Sequence, residues 1–325
     1  MRVSGTSYSA DKKLSRCEQM FSYRYDQKLK RRIKKKGLWR GDWIHQLMEA
    51  YRRKQDWKKK WRELKKNEWD KLFDEEKEDY GLDFPQQIFE LMEHYIEHWS
   101  GEDKNWKVIQ VEKSYEKMTK YGWPVRWKAD FLVKEGNRTV LIENKNKKSI
   151  PEVNERMLAP QVHAYCYLLS LMGIKVDTIL WDYIRTEPVP RPQILKDGSL
   201  SKRKINTDQR SYLKALKEAG IHPESEEDSI GVQNKLKSLP ETLSLLRIRN
   251  KPNLEIGKMF VRQWILRAHR AEKITHPMRN FDKDCKFDCD YYDVCMLDML
   301  GRDTTSLRKK DFIQIDTSTQ EETKK

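Results

Sequence analysis

The first apolar pattern along the chain has helical period. Between Leu38 and Phe73, Trp57, Trp61 and Trp69 stand four and eight residues apart, which predicts one stripe packed on a core. A second helix is expected over Phe84–Trp99, with Pro85 in its first turn. The period then falls to two. Trp106–Lys113 reads as a strand, Val125–Lys134 alternates almost strictly, and Val140–Ile142 is a short buried-strand run. Gln161–Met172 is apolar and helical, opened by Pro160 and closed by Gly173. Lys175–Ile184 returns to strand. Strand, hairpin, helix and strand flanked by helices predict an α/β fold, a mixed β-sheet core between helical parts.

The ends and one internal stretch read differently. Residues 1–36 are basic and expected to be helical, with Cys17 and the run Lys28–Lys36. Thr186–Asp228 is a long excursion carrying Pro188, Pro190, Pro192, Pro223, Asp197-Gly198 and Lys202–Lys204, with a helix near Ser211–Ala219. A last helix is expected over Gly257–Lys273, and the polar tail from Arg308 is expected to fray. This divides the chain into an N-terminal helical region (1–105), a core (106–185), an insertion (186–235) and a C-terminal helical, cysteine-bearing region (236–325).

Charge adds a partner. The 325 residues hold 66 Lys and Arg against 51 Asp and Glu, a net charge of +15, which points to an anionic partner and most simply to nucleic acid. Eleven Trp and fourteen Tyr argue against a disordered polyelectrolyte. The N-terminus lacks an apolar signal core, and the longest apolar stretch, Ala164–Ile174, is too short to cross a bilayer. No membrane association and a cytoplasmic location are therefore expected. No GxxxxGK[ST] motif is present, so any helicase motor would belong to a partner. Five cysteines without a signal segment do not read as a secreted disulfide framework; in a reducing interior, cysteines more often bind metal.

Gly136-Asn137 favours a two-residue hairpin turn. In that register Glu135 pairs with Arg138 and Asp130 falls opposite Glu143, with Cβ atoms about 4.5–5.5 Å apart. Glu143 and Lys145 share the face of Asp130, while Val125, Trp127, Ala129, Phe131 and Val133 line the other face as core. Two opposed carboxylates destabilise a hairpin unless a hard divalent cation lies between them. The same register sets Lys128 opposite Lys145, cations suited to a phosphate and a hydroxide. The Asn144 backbone carbonyl is a further candidate ligand. In outline this is metal-assisted phosphodiester hydrolysis, with Lys145 orienting or helping to deprotonate the water. A surface ion-pair hairpin is the rival reading. Glu-x-Lys triplets also occur at Glu63, Glu75 and Glu102, but none follows a hairpin that supplies an opposed Asp.

These residues resemble the PD-(D/E)XK nuclease superfamily, closest to the RecB and AddB branch and the RecB-like CRISPR-associated nucleases. Gly41-Asp42-Trp43-Ile44-His45 resembles the GxxxH motif, Asp130 the catalytic Asp, Glu143-Asn144-Lys145 the ExK motif, and Gln161-Val162-His163-Ala164-Tyr165 the QxxxY motif. The resemblance implies a restriction-endonuclease-like core, with His45, Asp130, Glu143 and the Asn144 carbonyl holding Mg²⁺ or Mn²⁺. It implies catalytic roles for Asp130, Glu143, Lys145, Gln161 and Tyr165, with Tyr165 approaching DNA. Ala129 stands in place of the motif's Pro, as is common in this branch, and Glu112 is a further acidic residue on the preceding strand. Read without the family, His45 is a half-buried histidine and Gln161 and Tyr165 are packing partners on one helical face.

Cys285, Cys289 and Cys295 are clustered and Cys17 is distant; four thiols close an iron–sulfur or a zinc site. Cys166, inside the apolar helix, reads as core. The layout is similar to that of AddB and the RecB-like CRISPR-associated nucleases, which implies a [4Fe–4S] cluster clasping the two ends of the chain around the core. Three residues, Lys286, Phe287 and Asp288, separate the first two clustered cysteines, where those relatives usually have two. Zinc remains the alternative.

The expected function is therefore a metal-dependent, exonuclease-like deoxyribonuclease acting on single strands or free duplex ends. Lys30, Arg31, Arg32, Lys128, Lys202, Arg203 and Lys204 would grip phosphates, and Trp39, Trp43 and Tyr165 would stack bases. The segment Leu195–Lys204 resembles an insertion of bacteriophage-encoded members, which implies phage recombination or DNA processing in the host cytoplasm. Two alternatives stand beside it: a non-catalytic iron–sulfur nucleic-acid-binding module, and a nuclease subunit with a helicase or recombination partner. Homo-oligomerisation is open.

Overall fold

The structure is a computed structural model. It describes residues 5–33, 35–148, 159–196, 200–201, 203–221 and 229–315. Lys34, Asp197-Gly198, Lys202 and Pro223, singled out above, lie outside these. The strands are β1 (Leu29–Arg31), β2 (Trp106–Met118), β3 (Pro124–Glu135), β4 (Arg138–Lys147), β5 (Thr178–Arg185), β6 (Leu245–Asn250) and β7 (Phe312–Gln314). The larger sheet has the order β2-β3-β4-β5-β6, and β1 pairs with β7 apart from it.

Local chemistry explains this order. The hairpin β3–β4 turns at Gly136, whose φ of +57° is open to glycine, and Glu135 pairs with Arg138 as expected. β4 and β5 are parallel, so the chain must cross over between them; helix Pro160–Ser170 lies in that connection. β6 adds an antiparallel edge. The mixed α/β fold expected from the pattern is the fold observed.

Each face of the sheet carries a core. Helices Lys36–Arg52 and Phe84–Asp103 bury Trp43, Ile44, Leu47, Ile88 and Met92 against Phe131, Val133 and Ile142. Helices Pro160–Ser170 and Leu254–Glu272 bury Val162, Leu168, Trp264 and Ile265 against Leu141 and Ile179. These two helices cross closely: a Cβ on Gly257 would stand 2.1 Å from the His163 carbonyl oxygen. His163 is buried, and its Nδ1 accepts the Asn253 backbone N–H at 3.1 Å. Among the described residues, no helix is long and apolar enough to cross a membrane.

Four expectations are corrected. The run from Lys28 is not helical, since β1 pairs with β7. The tail from Arg308 does not fray at once: Thr305–Asp311 is helical, and Arg308 donates to Asp298 (2.8 Å) and Gln27 (2.6 Å). The apolar residues of β3 do not share one core. Val125, Trp127 and Ala129 pack in one and Phe131 and Val133 in the other. The change falls at Asp130, beside Glu112, whose φ of +50° is left-handed; such a residue interrupts the two-residue alternation of an extended chain. Lys128 does not oppose Lys145 either, because the β3–β4 ladder ends at Phe131–Ile142.

Candidate active site

Beyond Ile142 the two strands are joined through a side chain. The Asn144 backbone N–H donates to Asp130 Oδ2 at 2.9 Å, so the carboxylate takes a place the ladder would give to a carbonyl. Asp130 and Glu143 thus come together at the mouth of the hairpin. Glu143 is 1% exposed, and its Oε2 is buried without a protein partner. A buried carboxylate oxygen left unpaired is costly unless a cation or water meets it.

Helix Lys36–Arg52 brings His45 to the same place. His45 Nδ1 lies 3.3 Å from Glu112 Oε1, and Lys128 Nζ lies 2.5 Å from Glu112 Oε2. His45, Glu112 and Asp130 each present a ligand atom, and these atoms lie within 4.8 Å of one another. Glu112 was outside the set expected from the sequence. Its signal was position: pairing β2 with β3 sets it between Val111–Phe131 and Lys113–Ala129, beside Asp130.

On the other side Lys145 is held by a chain of side chains. Its Nζ donates to Glu143 Oε1 at 2.5 Å and to Gln161 Oε1 at 2.9 Å. The Gln161 amide nitrogen donates to the Tyr165 hydroxyl at 3.2 Å, which turns the amide oxygen towards the lysine. Gln161 and Tyr165 share a helical face, as their spacing predicts. Tyr165 itself is buried, 5% exposed.

Electrostatics follow from this crowding. Burial, then the negative charge of Glu143, push the Asp130 carboxyl up to about 7. Burial disfavours charge on His45, but Glu112, Asp130 and Glu143 outweigh it and leave the imidazole above its ordinary pKa. Burial likewise works against the Lys145 ammonium, and Glu143 and Asp130 overcome it, so the lysine stays protonated at neutral pH. Glu112 is buried too, yet His45 and Lys128 hold it below the usual carboxylate range. A cluster of carboxylates and one imidazole with an unpartnered buried oxygen fits a divalent cation, whose preferred ligands are these.

The chain matches the family model for the PD-(D/E)XK nuclease superfamily over residues 6–296. The chain belongs to this superfamily. No curated protein matches it. Among solved structures it is similar to that of the "Putative exonuclease" of Eubacterium rectale, at 12% identity, with 88% of each chain covered and a TM-score of 0.50. That likeness speaks to the fold. The structure of the protein SSO0001 is more distant, at 13% identity over 67% of this chain and 77% of that one, with a TM-score of 0.29.

In this nuclease a segment near the start of the chain meets one near its end. Cys17, Cys285, Cys289 and Cys295 line one small cavity with Arg16, Tyr23 and Arg279, and all four are free thiols. Burial raises the Cys289 and Cys295 thiols, and the thiols beside them raise them further. Arg16 pairs with Asp288 at 2.5 Å, and the Tyr291 ring stacks on Phe312 at 5.6 Å, so β1, β7 and the cysteine loop form one closure. Cys166 is fully buried in the sheet core, apart from these.

The expected nucleic-acid contacts divide. Lys30, Arg32, Arg203 and Lys204 are exposed and Arg31 is half-buried, while Lys128 is turned towards Glu112. Trp39 and Trp43 do not stack bases. They are 6% and 0% exposed, and both indole N–H groups donate to Glu68 Oε2, at 2.6 and 2.8 Å.

Proposed function

We propose that this chain is a metal-dependent deoxyribonuclease, exonuclease-like, hydrolysing phosphodiester bonds at the site around Asp130, Glu143 and Lys145. The observation that carries the reading is the convergence of His45, Glu112 and Asp130, with Glu143 outside that group but next to it in the chain of contacts, one oxygen buried and unpartnered and the other held by Lys145. His45, Asp130 and Glu143, with Glu112 and the Asn144 carbonyl, would hold Mg²⁺ or Mn²⁺. When bound, such an ion polarises a phosphoryl oxygen and lowers the pKa of water. Lys145 donates hydrogen bonds to the attacking water or the phosphate, and Gln161 and Glu143 fix its Nζ in place. Tyr165 fixes the Gln161 amide in turn. Asp130 is kept in orientation by the Asn144 N–H.

Cys17, Cys285, Cys289 and Cys295 are proposed to hold a [4Fe–4S] cluster in a structural role, closing the ends of the chain around the core; zinc is the alternative. DNA would be gripped through Lys30–Arg32, Arg203 and Lys204. A place in phage recombination or DNA processing, in the host cytoplasm, rests on the resemblance of Leu195–Lys204 alone. Linear and circular DNA, single- and double-stranded, test the reading directly. Wild type should cleave with Mn²⁺ or Mg²⁺ and stop with chelator, and Asp130→Asn should not cleave. Cleavage that survives both chelator and Asp130→Asn contradicts it. For the cysteines, a visible absorption band lost in Cys285→Ser separates iron from zinc.

A further inference from the structure

A groove of about 880 Å³ opens between β1, helix Asp74–Tyr80 and the cysteine loop. One side carries Arg31, Arg32, Lys35 and Lys36, with Lys310 and the acid Asp311 beside them, five cations to one acid; the acids Glu76 and Asp79 sit on the helix opposite. The groove is also lined by Phe73 and Phe287. Their exposures of 75% and 77% are the highest of any large apolar side chain among the described residues. A single exposed apolar side chain is ordinary; here two aromatic rings line the same groove as a group of cations.

Both rings are presented from anchored backbone. The Phe73 N–H donates to Glu76 Oε2 at 2.9 Å, closing the start of its helix. The Phe287 carbonyl accepts from Lys35 Nζ, also at 2.9 Å. Glu76 is thereby occupied in capping, and Lys35 ties the cysteine loop to the residue preceding helix Lys36–Arg52. That helix leads from the groove to the candidate active site. From Lys36 to His45 is nine residues, about 13 Å along the axis at the usual rise.

We infer that this groove binds a single-stranded stretch of nucleic acid by its bases, with Phe73 and Phe287 as stacking platforms and Arg31, Arg32, Lys35 and Lys36 along the phosphates. Cations that track a backbone beside aromatic rings are the elements of single-strand binding, because only unpaired bases offer free faces. A duplex keeps its base faces covered. An acidic peptide would meet the cations but has no use for two bare rings. The inference rests on the nuclease reading for why a strand lies there, and gives that reading its substrate class: a single strand led along helix Lys36–Arg52 to the metal-ligand cluster.

The test uses the full chain in chelator, where binding is measured without cleavage. Fluorescence anisotropy compares a short labelled single strand, the same strand made abasic, and its blunt duplex, for wild type and Phe73→Ala/Phe287→Ala. The double variant should bind the single strand at least about tenfold more weakly, the effect of losing a base–aromatic stack. Its affinities for the abasic strand and the duplex should stay within about threefold, since the phosphate contacts persist. Phe→Tyr at both positions should restore single-strand binding. The abasic strand should bind wild type weakly, a readout that needs no variant. A single-strand loss below threefold, or equal losses for single and abasic strands, overturns the inference. Failure of wild type to cleave with Mn²⁺ would instead strike the nuclease reading and leave this binding result standing.

Discussion

Glu112→Gln probes the least expected member of the site. The substitution keeps the shape of a side chain only 8% exposed and removes one negative charge. That charge faces three groups: His45 Nδ1 at 3.3 Å, Lys128 Nζ at 2.5 Å, and Asp130, whose ligand atom lies within 4.8 Å. The pair with Lys128 contributes little to stability, because Lys128 is 55% exposed and solvent screens it. The loss should appear in metal affinity instead. Groups that ligate a metal or orient its ligands are typically worth about 10–100-fold, or about 1.4–2.7 kcal/mol at 1.4 kcal/mol per tenfold. One effect opposes this: removing Glu112 also removes part of the repulsion that raises the Asp130 carboxyl. Burial and Glu143 supply the larger share of that rise, so the net change remains a loss. Calorimetric titration with Mn²⁺ should show affinity down by about 10–100-fold, with the melting temperature nearly unchanged. Mn²⁺ affinity within threefold of wild type would refute the place given to Glu112.

Three further outcomes follow from other parts of the molecule. Gln161→Leu should slow single-turnover cleavage by about 10–100-fold while leaving Mn²⁺ affinity within threefold, because Gln161 holds Lys145 and is not a ligand; a parallel fall in metal affinity would contradict this. Asp182→Asn should destabilise the fold by about 1.5–3 kcal/mol in urea melts, the scale of hydrogen bonds to charged groups, since Arg52 and Arg247 lose a carboxylate at 3.4 and 3.3 Å but keep Asp103 at 2.9 and 2.8 Å; no measurable loss would refute it. His94 is 9% exposed, and burial together with the Arg210 guanidinium lowers it from 6.5 to about 4. Between those pH values the unfolded chain binds the extra proton, so stability falls as pH drops from 6.5 towards 4 and levels off below. The loss should be on the order of 3 kcal/mol relative to His94→Gln, from about 1.4 kcal/mol per unit; equal pH slopes in the two proteins would count against it.

Much of the site was legible because it is local. The turn at Gly136-Asn137 set the register as far as Phe131–Ile142; beyond it the Asn144 N–H, not a ladder pair, ties Asp130 to the strand of Glu143 and Lys145. Gln161 and Tyr165 were legible from one helical face. The features that escaped depend on distant partners. β6 lies in a stretch expected to be helical and carries an inward Arg247, whose burial is possible because Asp103 and Asp182 meet it from other elements at 2.8 and 3.3 Å. β1 is a basic segment that becomes a strand only when β7, nearly the whole chain away, pairs with it. Trp39 and Trp43 read as stacking surfaces, yet Glu68 satisfies both indole N–H groups and lets them enter the core. Glu112 was noted as an acidic residue but left out of the ligand set, because its place beside Asp130 follows from the pairing of β2 with β3 and its left-handed backbone has no signature in the pattern.

The most direct test of the account is the single-turnover cleavage rate of Lys145→Met with saturating Mn²⁺. Lys145 touches Glu143 and Gln161 through an ammonium, which has donors and no lone pair to offer a metal. The rate should be lower by about 100-fold or more, as expected for a group acting on the transition state, with Mn²⁺ still bound. A variant that binds Mn²⁺ and cleaves DNA at the wild-type rate would contradict it.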